Sequence, residues 1–180
     1  SIVNAYPNND PRKTMNMFGP GSTWFISGKG EVPYDRTDWQ HKKYSNLYPG
    51  GSGDDFENFA GSSINMRVIR YADVLLMYAE ALNEQGAKFS AEAVNAVNQV
   101  RARVGLAATT AADGASLFQA IITERQLELA FEQHRRKDIV RWGIARDVLG
   151  VKFVPGKHEV FPIPQTEIDI NPAITQNNGY

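Results

Sequence analysis

The clearest structural signal in the chain is the segment RYADVLLMYAEAL, which occupies residues 70–82. Its apolar residues recur at three- and four-residue steps, so they fall on one broad stripe of a helix. The pattern reaches back to Val68, and Gly86 is well placed to end it in a left-handed conformation. We therefore predict a helix over residues 66–85.

A second helix is predicted directly after the first. Ala93, Val97 and Val100 repeat at helical spacing over residues 91–104. Ser90 precedes this run as an N-cap, and Gly105 follows it. Because the connection is short, the two helices should form an antiparallel hairpin.

Two more helices are predicted further along, over residues 117–132 and 137–149. Ser116 with Gln119 fits a capping box at the start of the first of them. From Val151 onward we predict an extended tail without a helix, because of its prolines. The tail should pack back on the helices through its apolar residues, which are Phe161, Ile163 and Ile168.

Residues 1–62 have a different character. Glycine and proline interrupt every helical period, which predicts long loops. The most strand-like pieces are Thr23–Ile26 and residues 42–47. We therefore divide the chain into a loop-rich region, 1–62, and a helical region, 63–180, within one structural domain. The loop region is also rich in aromatics: Tyr6, Phe18, Trp24, Phe25, Tyr34, Trp39, Tyr44, Tyr48, Phe56 and Phe59.

Composition excludes several classes of protein. The formal net charge is −1, whereas nucleic-acid binders usually carry an excess of lysine and arginine. The chain has no cysteine, which excludes disulfides, thiolate metal sites and cysteine nucleophiles. The three histidines are scattered without metal-binding spacing, so we expect no metal and no cofactor. We also find no apolar run of about 18 residues that would suggest a transmembrane helix.

Several segments, in this order, resemble the SusD/RagB family of Bacteroidetes outer-membrane nutrient-binding lipoproteins. They are RYADVLLMYAEAL at 70–82, NQVRARVGL at 98–106, ERQLELAFE at 124–132 and FPIPQTEI at 161–168. Two upstream landmarks, Asp10-Pro11-Arg12 and Lys42-Lys43-Tyr44, fit as well. One departure is Gln133, which stands where the family favours glycine.

The resemblance implies a mainly α fold: a tetratricopeptide-like helical hairpin plus further helices, with long aromatic-rich loops. It matches only the carboxy-terminal part of the family's usual length. The missing amino-terminal part would carry a signal peptide and a lipid-attached cysteine. The resemblance further implies an outer-membrane location facing the extracellular side. It also implies a SusC-like TonB-dependent transporter as partner, and binding of oligosaccharide or polysaccharide without catalysis.

Trp24, Tyr34 and Trp39 are the candidate ligand-binding residues. Sugar rings stack on aromatic side chains, and these three lie among glycine, serine, aspartate and glutamine, which can serve the hydroxyl groups. The alternative is that the rings hold the loops on the helices by burying apolar area.

Glu124, Glu128 and Glu132 recur at four-residue steps and so share one helix face. Paired carboxylates can perform glycoside hydrolysis, but they then flank the bond from opposite sides. We therefore interpret these residues as an ion-paired face, with arginines close by in sequence as partners: Arg125, Arg135 and Arg136.

Three functions are left open. The first is a glycan-binding surface subunit. The second is a helical-repeat module that binds proteins and has no sugar site. The third, ranked last, is a glycoside hydrolase. Binding to immobilised polysaccharide separates the first from the second, and release of reducing sugar identifies the third.

Overall fold

A computed structural model describes residues 2–26, 29–45, 65–85 and 89–180. The chain divides into two compact units, Ser1–Glu132 and Gln133–Tyr180. The predicted boundary at residue 62 lies outside the described residues, so the division of the chain there stays a prediction.

The first unit is built on three helices that share an apolar core. The hairpin of two helices predicted at 66–85 and 91–104 is present, and a third helix packs against both. The completely or almost completely buried side chains of this core include Leu76, Val97 and Ile121. The helices of this unit are α1 (Arg12–Asn16), α2 (Tyr71–Glu84), α3 (Ala91–Arg103) and α4 (Gly114–Glu128), preceded by a 3-10 turn at Ile2–Asn4.

The helix ends follow local chemistry. Helix α2 begins at Tyr71, later than predicted, because Arg70 has an extended backbone. Ser90 caps α3 as predicted, and its hydroxyl accepts a hydrogen bond from the Ala93 amide at 3.0 Å. The predicted stop at Gly86 lies outside the described residues.

The predicted capping box of α4 was wrong in its members. Asp113 is the N-cap, and Ser116 closes the box from the third helical position. The helix therefore starts three residues earlier than predicted, and it ends at Glu128 rather than at residue 132. Phe131 and Gln133 then adopt left-handed backbone conformations, with φ of 65° and 64°.

Short antiparallel pairs form the strands of the first unit. Strand β2 (Thr23–Ile26), which was predicted, pairs with β3 (Gly30–Pro33). Strand β1 (Met17–Phe18) pairs with β4 (Gln40–His41). The predicted strand at 42–47 was wrong over residues 42–45, where the chain turns and Tyr44 has a φ of 64°. Within the described residues, each sheet has two strands.

In the second unit, the helix predicted at 137–149 is two helices. They are α5 (Arg135–Arg141) and α6 (Ala145–Leu149). Gly143 lies between them with a φ of 71°, a left-handed conformation that breaks the helix and suits glycine. The apolar periodicity of the sequence continues across Gly143, so it did not predict this break.

The tail of the second unit is not wholly extended, so that prediction was wrong. Helix α7 (Gln165–Ile170) starts directly after Pro164, a position where proline is tolerated because it precedes the helical hydrogen bonds. Gln176 hydrogen-bonds both backbone groups of Ile163 at 2.8 Å. The tail was predicted to pack on the helices through Phe161, Ile163 and Ile168. Phe161 lies 3.8 Å from the Arg136 guanidinium but is 64% exposed, whereas Ile163 and Ile168 are half-buried.

The predicted fold class, mainly α with long loops, is confirmed. The tetratricopeptide-like character of the α2–α3 hairpin remains a prediction. No helix in the described part of the chain combines the length and apolar character needed to span a bilayer.

Candidate functional site

Trp24 and Tyr34 come together in one aromatic cluster with Phe18. The rings of Trp24 and Tyr34 meet edge to face with centroids 5.2 Å apart, and Phe18 stacks on Tyr34 at 6.2 Å. Tyr34 is only 5% exposed, and its hydroxyl donates to the Asp38 carbonyl oxygen at 3.0 Å. This geometry favours the packing interpretation for Tyr34, while Trp24 remains partly exposed.

Trp39 packs differently, against the backbone of Gly19. A Cβ atom added at Gly19 would lie 2.5 Å from two carbons of the Trp39 ring, so only glycine allows this contact. The Lys13 ammonium lies 4.8 Å from the ring centroid, a cation–π distance. The indole is therefore held in place by its neighbours and remains half-buried.

Trp39 lines a cavity of about 550 Å³, which we call the aromatic pocket. Pairing of Met17 with His41 brings β1 and β4 together and forms one wall. Phe131 reaches the pocket from the turn after α4, with its ring centroid 6.0 Å from that of His41. The lining consists of Ile2, Val3, Met17, Asp38, Trp39, Gln40, His41 and Phe131.

Sequence reasoning missed Phe131 and His41 as members of this pocket. Phe131 looked like one more apolar residue of a helix that in fact ends at Glu128. The left-handed backbone of Phe131 left no readable signal in the sequence. Such backbone strain is often found at functional sites.

The predicted ion-paired face of α4 exists, but its partners come from distant segments. Arg12 Nη1 lies 2.5 Å from Glu124 and 2.9 Å from Glu128, and Arg12 Nη2 lies 2.7 Å from Asp10. All four side chains are at most 3% exposed. The nearby Arg125, which we predicted as a partner, instead pairs with Asp73 at 2.9 Å.

Further cations gather at the carboxyl end of α4. Arg70 contacts Glu128 at 2.6 Å and Glu132 at 2.8 Å, and Lys43 pairs with Glu132. Lys43 Nζ also donates to the carbonyl oxygens of Glu128 and Ala130, at 3.1 and 3.3 Å. Positive charge at this end of a helix is favourable because the last carbonyls carry partial negative charge.

Two arginines from the end of α3 complete the arrangement. Arg101 contacts Glu124 at 3.0 Å and Arg103 contacts Glu128 at 2.8 Å. We call the whole set the charge cluster; it consists of Asp10, Arg12, Lys43, Arg70, Arg101, Arg103, Glu124, Glu128 and Glu132.

The charge cluster is unsuited to acid catalysis. Burial by itself raises the pKa of Glu128, but hydrogen bonds from Arg70 and Arg12 outweigh it, so the pKa lies below its ordinary value. The pKa of Glu132 is lowered in the same way, with burial opposed by Arg70 and Lys43. A general acid needs a raised pKa to hold its proton near neutral pH, and these two carboxylates have the opposite shift.

Beside the cluster lies a second cavity of about 360 Å³, which we call the basic pocket. Its lining combines five cationic side chains with two carboxylates: Arg12, Lys43, Arg67, Arg70 and Arg103, with Glu128 and Glu132. Met15 and Asn16 form the rest of its wall. Among the described residues, no group of three acidic or histidine side chains is arranged to hold a metal ion.

The landmarks of the sequence meet at this end of the first unit. Residues from the 10–12, 42–44, 70–82, 98–106 and 124–132 segments all enter the charge cluster. The model of the SusD family matches residues 1–159. The chain belongs to the SusD family.

Individual SusD relatives agree with this membership. A SusD-like protein of Formosa agariphila is 33% identical, and the match covers 99% of this chain and 34% of the relative. A solved laminarin-binding SusD-like protein is 33% identical with a TM-score of 0.72, covering 99% of this chain and 37% of that one. Surface glycan-binding protein A from Bacteroides thetaiotaomicron is 25% identical with a TM-score of 0.71, covering 98% and 40%. The chain thus spans about a third of the length of the curated relative.

Proposed function

We propose that this chain is part of a cell-surface protein that binds glycans and passes them to a transporter without chemically changing them. The observation that carries the proposal is the aromatic pocket, where one fixed indole, Trp39, lies beside Asp38, Gln40 and His41. A flat apolar ring next to hydrogen-bonding side chains is the combination that a sugar requires. Membership of the SusD family and the similarity to a laminarin-binding SusD-like protein and a surface glycan-binding protein support it.

In this proposal the three candidate residues have different roles. Trp39 offers its ring to the ligand, and Phe131 supplies a second apolar surface in the same pocket. Tyr34 holds the β2–β3 pair by packing, because so little of its ring is exposed. Trp24 is partly exposed and could lengthen the platform for a longer glycan.

Delivery to a SusC-like TonB-dependent transporter belongs to the proposal as well. The protein would be anchored in the outer membrane by a lipid on a preceding segment and would face the extracellular side. Capture of this kind needs modest affinity and a shallow, open site, so that the glycan can be released. The carboxylates of the charge cluster, which are all ion-paired, act in this view as structure and not as catalysts.

A protein-interaction role is the second candidate, and it rests on the outer face of α2. Tyr71, Val74, Met77 and Tyr78 are each at least 43% exposed. Together they form an apolar row that other helices could cover. This face would serve the intact protein whether or not the aromatic pocket binds sugar.

Affinity electrophoresis of the intact protein on laminarin and other polysaccharides tests the first proposal. Trp39→Ala should weaken binding about thirtyfold, since a central aromatic anchor contributes roughly 2 kcal/mol. Gly19→Ala should also weaken it, because the new methyl group displaces the ring while the tryptophan is retained. Trp142→Ala, in the second unit, is the matched control.

The outcomes distinguish a role of Trp39 in glycan binding from a role in stabilising the fold. Selective loss in Trp39→Ala and Gly19→Ala, with melting temperatures close to that of the parent, supports the aromatic pocket as the glycan site. Full binding in both variants would place the site elsewhere. Binding of a partner protein in the absence of binding to any glycan would favour the interaction role instead.

A further inference from the structure

The aromatic pocket and the basic pocket are lined by residues that are neighbours in sequence. Asn16 lines the basic pocket, and the next residue, Met17, lines the aromatic pocket. In the same way, Glu132 lines the basic pocket and Phe131 lines the aromatic pocket. Consecutive Cα atoms are only 3.8 Å apart. Two separate segments of chain therefore place the two cavities side by side in the first unit.

The charges of the basic pocket are unevenly distributed. The positive charges of Arg12 and Arg70 are balanced, because both side chains form ion pairs with carboxylates of the charge cluster. Arg103 is different: its side chain is 53% exposed, and its contacts with Glu128 use one nitrogen, Nη2. The other donors of its guanidinium remain available for hydrogen bonding.

Arg67 provides the second open cation. It is exposed, and its contact is with the face of the Tyr44 ring at 6.0 Å. Within the described residues, no carboxylate forms an ion pair with it. The basic pocket therefore has an excess of positive charge on the exposed side, where an anionic group could enter.

The aromatic pocket has a more balanced charge. Its lining includes the Asp38 carboxylate, and the Lys13 ammonium lies 4.8 Å from the Trp39 ring centroid. With one carboxylate and one cation, this pocket has no excess of positive charge to attract an anion, and a neutral sugar face would stack on Trp39. A ligand that carries both parts can satisfy both pockets in only one orientation.

We propose that the two pockets together bind an acidic oligosaccharide, with a sugar ring against Trp39 and a carboxylate or sulfate group between Arg67 and Arg103. The planar fork of guanidinium donors matches the oxygen geometry of both anions. The inference rests on the proposed glycan-binding function and adds the class of glycan. It also makes binding salt-dependent, since exposed charge pairs are screened by ions.

The test compares three probes on the intact protein by calorimetric titration: laminarihexaose as the neutral glycan, an oligogalacturonate for carboxylate and a carrageenan oligosaccharide for sulfate. We expect at least one acidic probe to bind about tenfold more tightly than the neutral one at low salt. That preference should shrink as salt is raised. The better acidic probe identifies the anion.

Substitutions of Arg67 and Arg103 test whether these residues cause the preference for acidic glycans. The double variant Arg67→Gln/Arg103→Gln should lose the acidic preference, by about tenfold. Because Arg103 also pairs with Glu128, laminarihexaose affinity and the melting temperature are measured beside it, so that a loss of preference is separated from a loss of fold. Arg67→Gln alone should lose part of it; this variant breaks no ion pair among the described residues, and its melting temperature checks the fold. Lys152→Gln, which removes one positive charge from the exposed surface of the second unit, is the control for net charge.

The possible results are distinct. Equal binding of neutral and acidic probes overturns the inference and leaves the proposed function intact. An equal loss in Lys152→Gln also overturns it, because the effect would then be one of net charge. Binding of none of the probes, or of other polysaccharides, overturns the proposed function and the inference together.

Discussion

The apolar core of the first unit joins three consecutive helices, whereas the charge cluster joins side chains as far as 116 residues apart. Both the core and the charge cluster connect α3 with α4, but they do so through different interactions. The core gains stability from many small contacts, each of which can be lost at moderate cost. The cluster consists of buried charges, so removal of one leaves its partners uncompensated.

This difference predicts where the molecule is most sensitive. A gap in the core loses the contacts of one side chain and leaves the rest in place. A missing cation in the cluster leaves ionised carboxylates without partners in a site that water hardly reaches. We therefore expect the largest losses of stability at the cluster, even though it contains little apolar area.

Arg12→Ala should have the largest effect. Glu124 and Glu128 would lose a buried partner, and the free energy of unfolding should fall by about 3–5 kcal/mol. Chemical denaturation measures it. Arg36→Ala is the control: its side chain is exposed and its guanidinium lies 5.9 Å from the Trp24 ring centroid, so stability should change by at most about 1 kcal/mol. A loss in Arg12→Ala as small as that of the control would contradict our view of the cluster.

Leu76→Ala should be somewhat milder. Leu76 is fully buried between the helices, so its truncation should cost about 2–5 kcal/mol, depending on how far the cavity collapses. Met77→Ala is the neighbouring control on the exposed face of α2. A core variant that proves more damaging than Arg12→Ala would reverse the ranking of the two regions.

The cluster should also make stability depend on acid. The pKa values of Glu128 and Glu132 are lowered in the folded state, so their contribution is complete above the unfolded pKa, near 4.3, and is lost as pH falls toward the folded values. Melting temperatures measured between pH 7 and pH 3 at fixed ionic strength should fall mainly below pH 5.

A carboxylate comparison tests the source of that acid sensitivity. Glu132→Gln should flatten the acid limb of the stability profile, since the variant has one fewer buried carboxylate to protonate. Glu159→Gln, at an exposed position, should leave the profile unchanged. If both variants keep the parental profile, the sensitivity arises outside the charge cluster.

The smallest effect is expected at Gln133, and it should be stabilising. Its left-handed backbone costs a residue with a side chain about 1 kcal/mol, which glycine avoids. Gln133→Gly should thus raise the free energy of unfolding by about 0.5–1 kcal/mol. Gln126→Gly, inside α4, should lower it by about 1 kcal/mol. A destabilised Gln133→Gly variant would show that the side chain matters more than the strain.

The core was predictable because its evidence is local. Leu76, Val97 and Ile121 lie on stripes that are visible in their own segments, and the helices were found within a few residues of their bounds. The errors fell where one residue overrides a periodic pattern. Gly143 breaks a helix that the apolar spacing continues, and α7 begins at Gln165, directly after Pro164, where we expected no helix.

The candidate site was less predictable because its parts are distant in sequence. The ionic role of Glu128 could be read from its spacing, but its partners Arg12 and Arg70 could not, since only the fold brings them to α4. The family resemblance identified those segments without giving the reason that they belong together. Likewise, Trp39 was a candidate from its surroundings, whereas Phe131 joins it through a turn that no pattern announces.

The distance that Arg12 spans has a consequence for the order of folding. Its contacts with Glu124 and Glu128 close loops of 112 and 116 residues, and closing such loops is slow compared with forming a helical hairpin. The amino-terminal segment should therefore dock after α2, α3 and α4 have assembled. Interactions that form late mainly govern the rate of unfolding. Arg12 would then determine how long the folded molecule persists more than how quickly it forms.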